Sequence, residues 1–454
     1  MSTIAAISTA PGIGGIGIIR ISGKESFSVL EKIFKPKNNS PIQGYKIKYG
    51  KIINPETKKV IDEVLVSYFV EPKSYTTENV CEINSHGGIA IVKEILELCL
   101  KNGAELAEPG EFTKRAFLNG RIDLCESEAV IDIINAKTKK EANAAINQLE
   151  GGMSQKIKYI RKKMISLLSD IEATIDYPEY DVPEVTETKM LQELKQISEE
   201  LEKLEKSFEN GKILKEGIKT VIIGKPNVGK SSLLNAILQE DRAIVTNIEG
   251  TTRDLIEEEI VIDGVPLKII DTAGIRESKD KIEQIGIEKS KKIAKQADLI
   301  IAILDGEKKL SKEDEQILEI AKEKKSIIVI NKIDLPNFKN NLLENINLKM
   351  PVIKISAKNG EGIEQLYYEI SKLFQLQQID ANSEYLVTNI RHKNLINKAK
   401  EQCKKAEHII YDKMPIDIIT IEITNALESL GQITGENVTD DVIKDIFSKF
   451  CLGK

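Results

Sequence analysis

Four short segments, in one fixed order, constrain this chain more than anything else in it. Gly224-Lys225-Pro226-Asn227-Val228-Gly229-Lys230-Ser231 fits the pattern G-x-x-x-x-G-K-[ST]. Asp271-Thr272-Ala273-Gly274, Asn331-Lys332-Ile333-Asp334 and Ser356-Ala357-Lys358 come after it. Each segment directly follows an apolar run, at 219–223, 267–270, 326–330 and 352–355. Repeated apolar runs that end in polar loops predict parallel strands with their loops gathered at the carboxyl ends. Ser232-Leu233-Leu234-Asn235-Ala236-Ile237 reads as the opening of a helix after the first loop. A doubly wound α/β sheet is therefore expected here.

The residue types say what such loops could hold. Glycines let backbone amides turn inward around phosphate oxygens, helped by the helix N-terminus. Lys230 would reach the β- and γ-phosphates, and the Ser231 hydroxyl would ligate Mg²⁺. Asp271 would help to hold the magnesium, and Gly274 could offer its N–H to the γ-phosphate. The Asp334 carboxylate can accept from both the N–H and the NH₂ of guanine, a pair that adenine lacks. Asn331 and Lys332 would brace the loop and cover the base, and Ser356, Ala357 and Lys358 would meet the guanine carbonyl. Small signalling GTPases carry a glutamine after D-x-x-G to orient the attacking water. Here that position is Ile275. Either hydrolysis is slow or another group does the work.

The chain resembles the MnmE/TrmE family of tRNA-modification GTPases. Within the nucleotide region the resemblance rests on Asn227, on Gly250-Thr251-Thr252-Arg253-Asp254 and on the run from Asp271 to Arg276. Outside it, the opening Thr9-Ala10-Pro11-Gly12-Ile13-Gly14-Gly15-Ile16-Gly17 continues into Ile18-Ile19-Arg20-Ile21-Ser22-Gly23. Pro109-Gly110-Glu111-Phe112-Thr113-Lys114-Arg115 and Phe450-Cys451-Leu452-Gly453-Lys454 are equally specific. The resemblance implies GTP or GDP contacts from Asn227, Val228, Gly229, Lys230, Ser231 and Ser232. It adds Thr246, Asn247, Ile248, Glu249, Gly250, Thr251 and Thr252, then Asp271, Thr272, Ala273 and Gly274. It implies Mg²⁺ on Ser231 and Thr252, and K⁺ on Asn227, Thr246, Ile248 and Thr251. Glu283 would position the water, and a fixed cation would answer the Ile275 problem. Arg253 or Arg276 could act as a finger in cis instead, although switch-loop charge is the plainer reading.

The same resemblance implies a 5-formyl- or methylene-tetrahydrofolate on Arg20, Glu82, Arg121 and Lys454. Cations suit the glutamate tail of folate, and a carboxylate suits the pterin N–H edge. It also implies a homodimer, tRNA as substrate, and an FAD-dependent partner of MnmG/GidA type in a heterotetramer. The reaction would install an aminomethyl or carboxymethylaminomethyl group on carbon 5 of the wobble uridine. Cys451 would be a thiol needed for modification and not for hydrolysis. Read without the family, Cys451 is a small apolar filler or a poor prenylation box.

Size and composition set the outer limits. A chain of 454 residues exceeds one ordinary core. Its formal net charge of −6 argues against general nucleic-acid binding, so RNA would need a local basic patch. Five cysteines without C-x-x-C spacing argue against zinc and disulfides and fit a reducing, cytoplasmic setting. No apolar run is long enough for a membrane span. Three histidines, His86 among them, show no ligand spacing.

Four regions follow from the patterning: an N-terminal α+β domain at 1–118, for which the resemblance implies folate binding and dimerisation, a first helical half at 119–216, a GTPase domain at 217–376 and a second helical half at 377–454. The helical domain is thus read as one unit interrupted by an inserted P-loop, Ras-like domain. The stretch 190–208, dense in Glu, Lys and Leu, is read as an exposed helix laced with ion pairs. The opening glycines imitate a dinucleotide fingerprint, but a β-like run follows them and not a helix, so a strand–loop–strand turn is expected. Two other functions stay open at this point: a ribosome-assembly GTPase switch, and a folate-dependent one-carbon transferase with a regulatory G domain.

Overall fold

The computed structural model describes residues 1–38, 41–176, 186–239, 258–270, 285–340, 342–343, 349–379 and 385–454. The chain packs as two compact units. One comprises 1–131, 148–198 and 398–454; the other comprises 132–147 and 199–397.

The first unit opens with an α+β domain. Its elements are β1 (Ile4–Ile7), β2 (Gly14–Ser22), α1 (Ser26–Ile33), β3 (Phe34–Pro36), β4 (Lys46–Ile53), β5 (Val60–Phe69), β6 (Val80–Gly87), α2 (Ile89–Lys101), β7 (Glu105–Leu106) and α3 (Glu111–Leu118). The strands form a seven-stranded sheet in the order β3-β4-β5-β6-β2-β1-β7, antiparallel except for β1 and β7. Alternation sorts its two faces. Ile19, Ile21, Val64, Val66, Cys81 and Ile83 point into a core closed by α1 and α2. Arg20, Glu82 and Ser67 are register partners on the other face. As expected from the sequence, the glycine run leads into strand β2. Within α3 the buried Arg115 donates to Ser2 O at 2.7 Å and to Glu111 Oε1 at 2.7 Å, which ties the helix to the start of β1.

Helices α4 (Leu124–Asn135), α5 (Lys139–Leu149), α6 (Gly152–Asp176) and α7 (Glu187–Glu216) follow. In α7 the structure departs from the exposed reading. Met190, Leu194, Ile197, Leu201, Leu204 and Phe208 are all buried, at alternating spacings of four and three. Ion pairs such as Lys203–Glu200 and Lys206–Glu202 occupy only the outer side. The apolar period was in the sequence; the density of charge around it hid the stripe.

The second unit holds β8 (Ile218–Ile223), α8 (Lys230–Leu238), β9 (Glu258–Ile262), β10 (Val265–Ile269), α9 (Ile285–Gln296), β11 (Leu299–Asp305), α10 (Lys312–Lys322), β12 (Ser326–Asn331), β13 (Val352–Ile355) and α11 (Ile363–Leu373). Its sheet runs β13-β12-β11-β8-β10-β9, parallel from β13 through β10, with β9 antiparallel at the edge. Every residue of β11 and β12 is buried, as parallel strands covered on both faces require. Helices α12 (Ile390–Tyr411), α13 (Ile416–Thr434) and α14 (Asp440–Ser448) complete the chain. In the first unit α13 packs along α6, with Arg161 paired to Glu436.

Candidate nucleotide site and N-terminal ligand corner

The strand order of the second sheet reverses direction at β8. From there the chain builds outward through β11, β12 and β13 on one side, and through β10 and β9 on the other. Ligands of such sheets bind at the carboxyl ends beside that switch point. The loop after β8 lies there, and it is the loop 224–229.

Local geometry explains its residues. Gly229 is the N-cap of α8 with φ of +103°, a region that costs glycine nothing. A Cβ there would also lie 2.2 Å from Asn331 Nδ2. Asn227 is exposed and takes φ of +62°, which asparagine tolerates better than most residues. Lys230 opens α8 and donates from Nζ to Gly224 O at 2.8 Å and to Lys225 O at 2.7 Å. Burial pushes the Lys230 ammonium below the usual lysine range. An anion placed beside it would stabilise the charge that burial disfavours. Ser231 and Ser232 occupy the next positions of the same first turn.

The segments expected to meet the base, called the base loop below, follow the ends of β12 and β13. Asn331 is buried and bridges two loops. Its Nδ2 donates to Val228 O at 2.9 Å, and its Oδ1 accepts from Ala357 N at 2.9 Å. One amide therefore joins the phosphate loop to the Ser-Ala-Lys segment. Ser356 is buried, and its hydroxyl donates to Asp334 Oδ1 at 2.7 Å. Asp334 itself is exposed, so its carboxylate is steered by Ser356 yet open to a ligand. Lys358 is exposed as well.

Lys332 takes φ of +75° and donates to Asp305 Oδ2 at 2.7 Å. Burial alone would raise the Asp305 carboxyl, but Lys332 and the Glu307 N–H hold it below its usual range. No motif reading flagged Asp305. The apolar run 299–304 that delivers it ends in no recognised motif, and its closing acid was the missed signal.

The remaining nucleotide and metal candidates lie outside the described residues. They are Thr246, Asn247, Ile248, Glu249, Gly250, Thr251 and Thr252, with Asp271, Thr272, Ala273, Gly274, Arg276 and Glu283. Arg253 and Ile275 lie there too. Among the described residues no group of three or more His, Cys, Asp or Glu side chains could hold a metal. His86 is spent on an ion-pair geometry with Asp62, 2.7 Å away.

The four N-terminal candidates converge in the first unit. Arg20 Nε donates to Glu82 Oε1 at 2.8 Å, and Arg20 Nη1 donates to Gly453 O at 3.3 Å. The Arg20 guanidinium lies 5.6 Å from the centre of the Tyr75 ring and 5.5 Å from that of Phe112. Arg121 lies over the same Tyr75 ring at 4.8 Å. Lys454 O accepts from Phe112 N at 3.2 Å. Burial, then the neighbouring Arg20 charge, pulls the Lys454 ammonium down, against the pull of Glu82. An open cavity of about 570 Å³ begins beside Arg121 and Tyr75, with Tyr45 and Phe69 on its wall. The tail 451–454 is held by Gly110 N donating to Cys451 O at 3.4 Å and by Ser8 Oγ donating to Gly453 O at 3.1 Å. Cys451 is exposed, so it fills no core.

The parallel sheet, its switch-point loop and the Asn331 brace define a P-loop GTPase domain, carried in a chain with a separate α+β domain and helices. The family description "GTP-binding protein TrmE N-terminus" matches residues 3–121, and "MnmE helical domain" matches residues 124–451. The tRNA modification GTPase MnmE of Acetivibrio thermocellus is 54% identical over 454 residues, covering 100% of this chain and 99% of that relative. Its namesakes from Alkaliphilus oremlandii and Lactiplantibacillus plantarum are each 47% identical over 100% of this chain and 99% and 98% of their own. Among solved structures, the G domain of the T. maritima FeoB iron transporter is 27% identical, covering 34% of this chain and 98% of its own at a TM-score of 0.25. This chain belongs to the MnmE family of tRNA modification GTPases. It is a GTP hydrolase. No helix among the described residues is long and apolar enough to cross a membrane.

Proposed function

We propose that this chain is a potassium-activated GTPase that, with an FAD-dependent partner of MnmG/GidA type, modifies carbon 5 of the tRNA wobble uridine. The observation that carries the GTP half is Asn331, which fastens the phosphate loop to the base-recognition segment through one buried amide. Val228, Gly229 and Lys230 then seat phosphate while Asp334, oriented by Ser356, reads the guanine edge. The loop amides, the start of α8 and a partly desolvated ammonium together fit a polyphosphate.

Magnesium would be held by Ser231 and Thr252, with Asp271 in support, and when bound it neutralises charge between the phosphates. Potassium would be held by Asn227, Thr246, Ile248 and Thr251. Of these, Asn227 is described: an exposed residue whose side-chain amide oxygen is a hard donor suited to an alkali cation. Bound there, potassium supplies the positive charge that an arginine finger supplies elsewhere. Glu283 would orient the attacking water where Ile275 cannot.

Arg20, Glu82, Arg121 and Lys454 fit a ring-bearing anion: three cations, one carboxylate, and the Tyr75 and Phe112 rings. A tetrahydrofolate carrying one carbon has that character, and it would supply the carbon added to the uridine. Hydrolysis would drive domain rearrangement, and Cys451 would serve the modification step. Exposed Ile47, Tyr49 and Leu65 on the outer face of β4 and β5 support a homodimer through the N-terminal domains. These properties fit a cytoplasmic enzyme.

Two measurements test the reading. Nucleoside analysis of tRNA from cells lacking this chain should show unmodified wobble uridine. Hydrolysis by the purified chain should be faster in potassium than in sodium; equal rates would remove the cation from the proposal.

A further inference from the structure

The turn that joins β11 to α10 touches both halves of the nucleotide site, yet none of its residues belongs to a recognised motif. At its start Asp305 holds Lys332 of the base loop at 2.7 Å. Gly306 N donates to Asn331 O at 3.0 Å, and Lys339 N donates to Gly306 O at 2.8 Å. A Cβ on Gly306 would meet Phe338 Cε2 at 2.4 Å and Asn331 O at 2.6 Å, so the turn lies flush against the base loop.

At its far end the turn becomes the N-terminus of α10. Ser311 caps that helix, and Ser311 and Asp314 form a reciprocal capping box. The same Asp314 oxygen that serves the cap receives Lys225 Nζ at 2.6 Å, and Ser311 Oγ lies 3.0 Å from that ammonium. Lys225 is the second residue of the phosphate loop. Its carbonyl accepts from Lys230 Nζ at 2.7 Å. The Lys225–Asp314 pair is withdrawn from solvent, with side chains 17% and 4% exposed. Withdrawn, charge-assisted hydrogen bonds of this kind are the ones that fix geometry. At the loop's base, a Cβ on Gly224 would lie 2.7 Å from Ile303 O, so the loop also leans on β11 itself.

We propose that the turn 305–314 is a strut that positions both loops at once: Asp314 sets the phosphate loop through Lys225, and Asp305 sets the base loop through Lys332. Asp305 and Asp314 are positioning residues, since neither lies in a segment that touches nucleotide. The inference deepens the GTP-site assignment and rests on it.

The strut makes the two acids separable by ligand. GDP carries the β-phosphate that the loop must seat, and GMP does not. Asp314→Asn in the full chain should weaken GDP binding about tenfold, the scale of one charged hydrogen bond, and leave GMP binding within about twofold. Asp305→Asn should weaken GDP and GMP alike. Lys225→Met should match Asp314→Asn, and the double variant should be no worse than either. Lys225→Arg, which keeps the pair, should bind both ligands as the parent chain does. Calorimetry for GDP, competition for GMP and a melting curve for each variant read these out. Equal losses of GDP and GMP in Asp314→Asn, additive losses in the double variant, or no loss at all would overturn the strut. Should Asp314→Asn not fold, the contrast of Lys225→Met with Lys225→Arg decides in its place. A parent chain that binds no GDP would instead remove the site assignment.

Discussion

At the scale of single residues, chemistry is decided by what each group is given to face. Asp334 receives one hydroxyl, from Ser356 at 2.7 Å, and is exposed, which suits the base-reading role proposed for it. Asp334→Asn replaces an acceptor by a group that also donates. It should weaken GTP by about 1.5–3 kcal/mol, or ~10- to 150-fold, and raise preference for xanthine nucleotides. Unchanged guanine selectivity would remove the base-recognition claim. The cysteines make a second residue-scale case. Burial raises the Cys99 and Cys403 thiols to about 12 and Cys81 well above its usual value, while Cys451 is exposed. At pH 8 native protein should take one equivalent of iodoacetamide, at Cys451, and five after unfolding. The raised thiols also set a sign for stability. Well below about pH 8.5 they are protonated in both states and cost nothing. Above it the unfolded chain ionises while the folded chain resists, so stability should fall as pH rises toward about 12. Urea midpoints at pH 8 and pH 10 check this, and Cys99→Ala should flatten the slope.

At the scale of elements, glycine and heptad positions can be separated from their neighbours. Gly229 combines a left-handed backbone with an approach to Asn331 that leaves no room for a methyl. Gly229→Ala should cost roughly 1–3 kcal/mol in strain and more than that in nucleotide binding, because the Asn331 bridge must move. A melting curve beside GDP calorimetry separates the two effects. Along α7, Leu201 is fully buried while Lys203 pairs with Glu200 on the open side. Leu201→Ala should destabilise by ~2–5 kcal/mol, and Lys203→Ala by less than ~1 kcal/mol, in urea unfolding. Strands β8, β10, β12 and β13 were legible because each apolar run ended in a motif. Strand β11 carried no motif, and the short strand β3 carried no pattern long enough to read.

At the scale of the molecule, the tail and the N-terminal sheet act as one object. Gly453 has φ of +86°, and a Cβ on it would lie 2.2 Å from Ile7 O. Gly453→Val should therefore release the tail from β1 and leave Arg20 without its Gly453 partner. Binding of 5-formyl-tetrahydrofolate should weaken by about tenfold, the scale of a lost charged hydrogen bond, while GTP hydrolysis is unchanged. A full loss of both activities would mean that the tail holds the fold and not the ligand corner. Cys451→Ser, by contrast, should keep GTPase activity and abolish tRNA modification.

The sequence by itself determined the chemistry that depends on neighbours in the chain. The phosphate loop, the acid proposed to read guanine and the helix that follows the loop are local patterns, fixed by backbone freedom and side-chain type within a few residues. Only the tertiary structure decided which distant groups would meet. Lys225 reaches Asp314 across 89 positions, and Arg20 reaches the carbonyl of Gly453 across 433. No periodicity encodes such a meeting, because it comes from the packing of whole elements and from the need of each buried charge for a partner.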